Sequence, residues 1–330
     1  LGSGIMGSRI ACHFANIGLE VLLLDISPKE LTDAEKAKGL TLDSPQVKNR
    51  MVNSSLDAAV KSKPSPLYDK DKVALIKTGN FDDDLTKIKD YDWVIEAVVE
   101  NLEIKKSLFD KVEEHRKPGT LISSNTSGIP INFMLEGRSE DFQKHFCGTH
   151  FFNPPRYLRL LEIIPTKKTD PEIVDFFLKY GDLYLGKETV LCKDTPAFIA
   201  NRIGIYAIMS GMHTIEKMGL SVNEVDKLTG PVIGRQKSAT FRTMDVVGLD
   251  TAVKVAQGLY EGLPEDESRD TFKLPNIVQE LYERKWWGDK TKQGYYKKVV
   301  ENGQKEILEL DLKTFEYKSK DKIKLDVLDK

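Results

Sequence analysis

The stretch HFCGTHFFNPP, His145 to Pro155, holds two of the chain's five histidines and one of its three cysteines. Two chemistries suit these residue types. His-x-Cys-x-x-His offers the nitrogen and sulfur ligands of a zinc site. Alternatively, one imidazole moves a proton near neutral pH and the rest is scaffold. In an extended strand His145 and Cys147 point to one side and His150 to the other, which opposes a shared metal. No carboxylate or second cysteine pair with ligand spacing lies nearby, so no metal is expected. Asn153-Pro154-Pro155 ends the strand and leaves His150 near its terminus, where open α/β sheets place their ligands. Twelve residues beyond His150, Glu162 lies in the apolar run LRLLEII. A carboxylate among such neighbours is costly unless paired. It either faces solvent or, on a strand returning beside the first, reaches the histidine, fixes its tautomer and stabilises the imidazolium formed by proton abstraction. Of the other histidines, His13 follows a glycine-rich loop, His115 sits at a charged helix end, and His213 is mid-helix.

A second constellation opens the chain. In LGSGIMGSRIACHFANIGLEVLLLDIS, Gly2, Gly4 and Gly7 form G-x-G-x-x-G at the start of a helix that runs to about Gly18. The apolar strand EVLLLDI follows, and its acidic end, Asp25, lies 21 residues beyond Gly4. That context makes it a dinucleotide fingerprint. Gly2 permits the tight turn, Gly4 admits a pyrophosphate, and Gly7 lets helix pack closely on strand. The helix N-terminus offers unpaired N–H groups to the phosphates. Asp25 would accept the ribose hydroxyls and repel a 2′-phosphate, which favours NAD over NADP. The strand that should precede the loop is represented by Leu1 alone, so the natural start is expected to be missing, with a gap left between buried neighbours.

These residues need a scaffold. A length of 330 residues suits about two domains. The net charge of −2 leaves no global basic field for nucleic acid. Cys12, Cys147 and Cys192, odd in number and far apart, read as reduced thiols of a cytoplasmic compartment. No apolar run is long enough for a membrane span. Strands are expected in ALIKTGNF, DWVIEAVVE, GTLISSNTS, LRLLEIIP and KETVLCKD, with helices in LEIKKSLFDKVEEHRK and DPEIVDFFLKYGDLYLG. The alternation predicts a Rossmann-type, doubly wound, mostly parallel sheet over residues 1–194. Polar, Lys-rich residues 28–70 read as a solvated helical hairpin or a basic arm over a phosphate-bearing substrate. From TPAFIANRIGIYAIMSGMHTIEKMG the texture turns all-helical, over 195–298, with Thr195 as N-cap and Pro196 at the first helical position. Residues 299–330 form a charged tail, read as a short hairpin or a linker.

Taken together, GSGIMG, VIEAVVENLEIKK, SSNTS, GTHFFNPP with LLEII, KDTPAFIANRI and DVVGLDT resemble, in this order, the L-3-hydroxyacyl-CoA dehydrogenases of fatty-acid β-oxidation. The similarity runs from Leu1 to about Tyr296 and includes the dehydrogenase portion of multifunctional proteins. It implies His150 as catalytic base, Glu162 as its carboxylate partner, and Ser127 and Asn201 as the groups that hold the substrate's 3-oxygen. On the cofactor side it implies Asp25 at the ribose and Glu100, Lys105 and Asn153 along the NAD cleft. The implied reaction oxidises a 3-hydroxyacyl-CoA to the 3-ketoacyl-CoA with NAD, completed by closure of the two domains. The rivals are another NAD-linked hydroxyacid dehydrogenase, of the type that uses a lysine, and a non-catalytic NAD-binding or structural protein of the same fold. A glycine is common in the family where this chain has Ala197, expected to alter helix packing only. Arg156 and the two prolines before it bear on chain-length preference. Lys61 and Lys63 are the candidates for CoA contact. The family pairs through the helical domain, so a homodimer, or intramolecular pairing in a longer chain, is expected.

Overall fold

The computed structural model describes residues 1–301, 304–320 and 323–328. The chain divides into two compact units, Leu1–Phe198 and Ile199–Lys330.

In the first unit, strand β1 (Val21–Asp25) pairs in parallel with β2 (Ile76–Asn80). A separate sheet holds β3 (Trp93–Glu96), β4 (Leu121–Ser124), β5 (Phe146–Phe151), β6 (Leu160–Pro165) and β7 (Glu188–Leu191), in that spatial order. All its pairs are parallel except β5 with β6. Helices Ile5–Asn16, Leu102–His115 and Pro171–Leu183 cover the sheets, which explains the apolar runs: the central strands β4, β5 and β6 are buried on both faces. Phe146 and Ile164 join one core cluster with Phe109 and Ile122. Cys147, Phe151, Leu161 and Ile163 join another with Phe14 and Phe177. The alternation along β5 thus sorts Cys147 and His150 to opposite faces.

Between β1 and β3, among the described residues, Leu1 and Gly2 make the bridge. The Leu1 amine donates to Ile95 O at 2.7 Å, Ala97 N donates to Leu1 O at 2.8 Å, and Gly2 N donates to Leu24 O at 2.7 Å. Beyond that bridge the two strand edges face an apolar cavity of about 370 Å³ lined by Phe14, Val21, Leu23, Trp93 and Ile95, among others.

The second unit is helical over Ala200–Met218, Val222–Leu228, Phe241–Val247, Leu249–Gly262 and Asn276–Glu283. The charged tail packs into this unit: β8 (Tyr296–Glu301) pairs antiparallel with β9 (Gln304–Leu310), which pairs with β10 (Tyr317–Lys318). Residues 302 and 303, between β8 and β9, lie outside the described residues. No helix among the described residues is long and apolar enough to cross a membrane.

Two local expectations are corrected. His145 is not in the strand; it caps the short helix Glu140–Lys144, where its Nδ1 lies 2.8 Å from Asp141 O. Thr195 is not a helix N-cap. Ala197 and Phe198 both take left-handed backbone, φ 59° and 50°, which a right-handed helix cannot contain, so the helix starts at Ala200.

Candidate active site

The His150–Glu162 pair forms because of one register. In the antiparallel β5–β6 ladder His150 lies directly opposite Glu162, and opposite residues present their side chains on the same face. His150 Nδ1 stands 2.6 Å from Glu162 Oε2. Glu162 is 0% exposed and His150 5%. Phe152 and Phe198 flank the imidazole, with centroids at 4.5 and 5.7 Å. With Nδ1 engaged, Nε2 is the ring nitrogen that remains for a substrate. Cys192, read from sequence only as a reduced thiol, donates to Val190 O at 3.6 Å; burial, reinforced by the Glu162 carboxylate, pushes its thiol up to about 12.

A buried network shapes the neighbouring turn. Glu96, fully buried at the end of β3, accepts from Lys105 Nζ at 2.7 Å, Val98 N at 2.7 Å and Ser124 Oγ at 2.5 Å. Lys105 Nζ also lies 3.3 Å from Glu100 Oε2. Glu100 Oε1 accepts from Thr126 Oγ1, Ser127 N at 3.1 Å and Gly128 N at 3.0 Å. Burial alone would raise the Glu100 carboxyl, but the Thr126 hydroxyl, the Lys105 ammonium and the two amides together hold it below the usual range. Glu100 and Lys105 therefore build the turn that presents Ser127, which is exposed. Lys105, at 1% exposure, is committed to two carboxylates. The part played by Glu96 was not legible, since Lys105 and Ser124 reach it from a helix and a neighbouring strand.

The glycine loop fits a dinucleotide. A Cβ on Gly7 would fall 1.9 Å from Gly2 O, so helix and loop are in contact there. A Cβ on Gly4 would meet nothing within 4 Å, which leaves open space at the N-terminus of a 12-residue helix. That helix has neither a side-chain cap nor an acidic residue in its first turn, so its leading N–H groups are available to phosphate. Asp25 Oδ2 accepts Ser3 N and its Oδ1 accepts Ile26 N, both at 2.7 Å. Its carboxylate, whose Oδ2 also accepts the Ser3 hydroxyl, is thereby held at the end of β1, with an acceptor site left on Oδ1. Asn153 accepts from Arg9 of the same helix. The loop that carries Asn153 is held from below by buried Lys187, which donates to Pro155 O and, at 3.1 Å, to Leu158 O. Arg156 donates to Ser65 O and Leu67 O at 2.7 and 2.8 Å and stacks on Tyr68, which ties this loop to the end of the Lys-rich segment.

Asn201 is the second residue of the helix Ala200–Met218 in the other unit. Among the described residues no cluster of three or more His, Cys, Asp or Glu side chains suits a metal ion.

Residues 1–195 match the NAD binding domain of 3-hydroxyacyl-CoA dehydrogenase, and residues 198–298 match the C-terminal domain of the same family. The chain is 52% identical over 329 residues to a probable 3-hydroxyacyl-CoA dehydrogenase of Bacillus subtilis, covering 100% of this chain and 41% of that protein. It is 46% identical over 299 residues to one of Deinococcus radiodurans, covering 91% and 82%. Among solved structures, (S)-3-hydroxybutyryl-CoA dehydrogenase PaaH1 from Ralstonia eutropha aligns with a TM-score of 0.70 at 27% identity, over 89% of this chain and 95% of that one. The chain thus spans less than half the length of its Bacillus relative.

Proposed function

The chain belongs to the 3-hydroxyacyl-CoA dehydrogenase family, and from that premise we propose that it oxidises (3S)-3-hydroxyacyl-CoA to 3-ketoacyl-CoA with NAD, with His150 as general base. The observation that carries this reading is the buried His150–Glu162 pair near the end of β5. When bound, NAD supplies the hydride acceptor. Gly4 and the helix behind it hold the pyrophosphate, and Asp25 holds the ribose. His150 Nε2 takes the 3-hydroxyl proton as the C3–H bond breaks, and Glu162 stabilises the resulting imidazolium through Nδ1. The Ser127 hydroxyl donates to the 3-oxygen, and the turn tied by Glu100 fixes its position. Asn201 is proposed as a further donor to that oxygen, tested separately by Asn201→Ala. A paired helical domain, with a second copy or within a longer chain, is proposed with it and is read by light scattering. All three cysteines are buried free thiols, which supports a reducing, cytoplasmic setting.

The deciding experiment follows NADH consumption with acetoacetyl-CoA, beside a His150→Gln variant. Turnover should fall roughly 10²–10⁴-fold in the variant with NADH affinity retained. Unchanged turnover would remove His150 as base, and NADH binding without turnover in either protein would overturn the dehydrogenase reading.

A further inference from the structure

The second unit holds a cavity that none of the dehydrogenase chemistry uses. It encloses about 1000 Å³, at the upper end of ordinary ligand sites, between the helix Val222–Leu228, strands β8 and β9, Lys320, and Ile323, Lys324, Leu325 and Leu328. Seven cations and two carboxylates line it. This excess is local, because the whole chain carries a net charge of −2.

Both carboxylates are already satisfied. Asp289 forms a two-pronged pair with Arg242, at 2.6 and 2.8 Å. Asp226 accepts from Phe241 N and the Tyr296 hydroxyl, each at 2.7 Å, as well as from two further amides. Of the lysines, Lys227 donates to Ile323 O and Lys320 lies over the Tyr296 ring at 4.1 Å. The other four, Lys237, Lys292, Lys298 and Lys324, make no ion pair with any described residue, though all four line this cavity. Like charges gathered in this way repel, and a multivalent anion relieves that repulsion. Apolar side chains complete the lining: Val232 and Ile307 are 59% and 52% exposed, beside Leu325 and Leu328. Such exposed apolar surface beside a multiply charged wall matches one class of ligand.

We infer that this cavity binds a phosphate-bearing amphiphile, its charged head among Lys237, Lys292, Lys298 and Lys324 and its apolar chain against Val232 and Ile307. The inference stands independently of the dehydrogenase reading, because none of these residues belongs to the cofactor or His150 sites.

The test uses the full chain and dodecyl phosphate as probe, read by calorimetry and by protection of individual lysines from acetylation. Dodecyl phosphate should protect Lys292, Lys298 and Lys324, and a Lys292→Glu/Lys298→Glu variant should bind at least tenfold more weakly. Ile307→Ser should weaken dodecyl phosphate while leaving inorganic pyrophosphate unchanged. Retained NADH binding and thermal midpoint show that the variants fold. Absence of binding, or binding that leaves these lysines unprotected and tolerates the double reversal, would overturn the inference. Sedimentation with phosphatidylglycerol vesicles, lost in the double variant, would assign the head to a lipid; binding of the soluble ester without sedimentation would assign it to a free phosphate ester.

Discussion

His150 Nδ1 and Glu162 Oε2 stand 2.6 Å apart because their residues occupy one rung of the only antiparallel pair in the five-stranded sheet. A slip of one residue along β6 would turn Glu162 to the opposite face, among Cys147 and Leu161, and leave the imidazole without a carboxylate. The pair is therefore a property of sheet register. Glu162→Gln keeps the shape and removes the charge, so kcat for acetoacetyl-CoA reduction should fall roughly 10²–10⁴-fold. The KM should move little. Steady-state kinetics separate the two, and a loss confined to KM would contradict the assigned role.

The two loop glycines should part company. Gly4→Ala places a methyl group in open space, so thermal stability should change by less than about 1 kcal/mol. Its NADH affinity should drop tenfold or more, about 1.4 kcal/mol. Gly7→Ala drives a Cβ into Gly2 O and should lose about 1–3 kcal/mol of stability as well as binding. Thermal melts and NADH fluorescence titration check both.

Lys105→Met strands a fully buried Glu96. Removing one partner of such a pair typically costs roughly 3–5 kcal/mol. Urea unfolding should show that loss, and the double variant Glu96→Gln/Lys105→Met should recover part of it. Equal losses in the single and double variants would mean the pair is not coupled.

Lys187 sets a pH dependence. Burial lowers its ammonium from 10.5 to about 8. The folded state therefore releases this proton more readily than the unfolded chain does. The penalty for keeping the ammonium buried is fully present below about pH 8 and fades as pH rises toward 10.5, so this group makes stability increase across that window. After allowance for solvent screening, the gain should be on the order of 1 kcal/mol. Denaturant titrations at pH 7.5 and 10 should show it in the wild type and lose it in Lys187→Met.

Ala197 was expected to affect helix packing alone, yet it lies before the helix in left-handed backbone. Ala197→Gly should raise stability by about 0.5–1 kcal/mol, since glycine takes φ 59° without a Cβ clash. Differential scanning calorimetry reads this directly, and a lowered midpoint would contradict the assignment.

By itself the sequence determined what local pattern can determine. The apolar runs placed each of β1 to β4, β6 and β7 within a few residues, and the glycine spacing placed a helix directly after the loop, with Asp25 at the end of the strand that follows. Short-range sterics and burial of both sheet faces decide these features. Sequence also singled out His150 from five histidines, but it left Glu162 undecided between solvent and the imidazole. Only tertiary structure resolved that, because a connection such as residues 152–159 permits several registers and side-chain packing selects one. The same holds for Glu96, whose partners Lys105 and Ser124 arrive from a helix and a neighbouring strand, and for Cys192 beside Glu162. It holds again for the charged tail, left open between a short hairpin and a linker, which tertiary contacts pair as β8 to β10 beside a basic cavity. Each depends on chain segments that meet only after folding, and no periodicity within a segment records where its partner will lie.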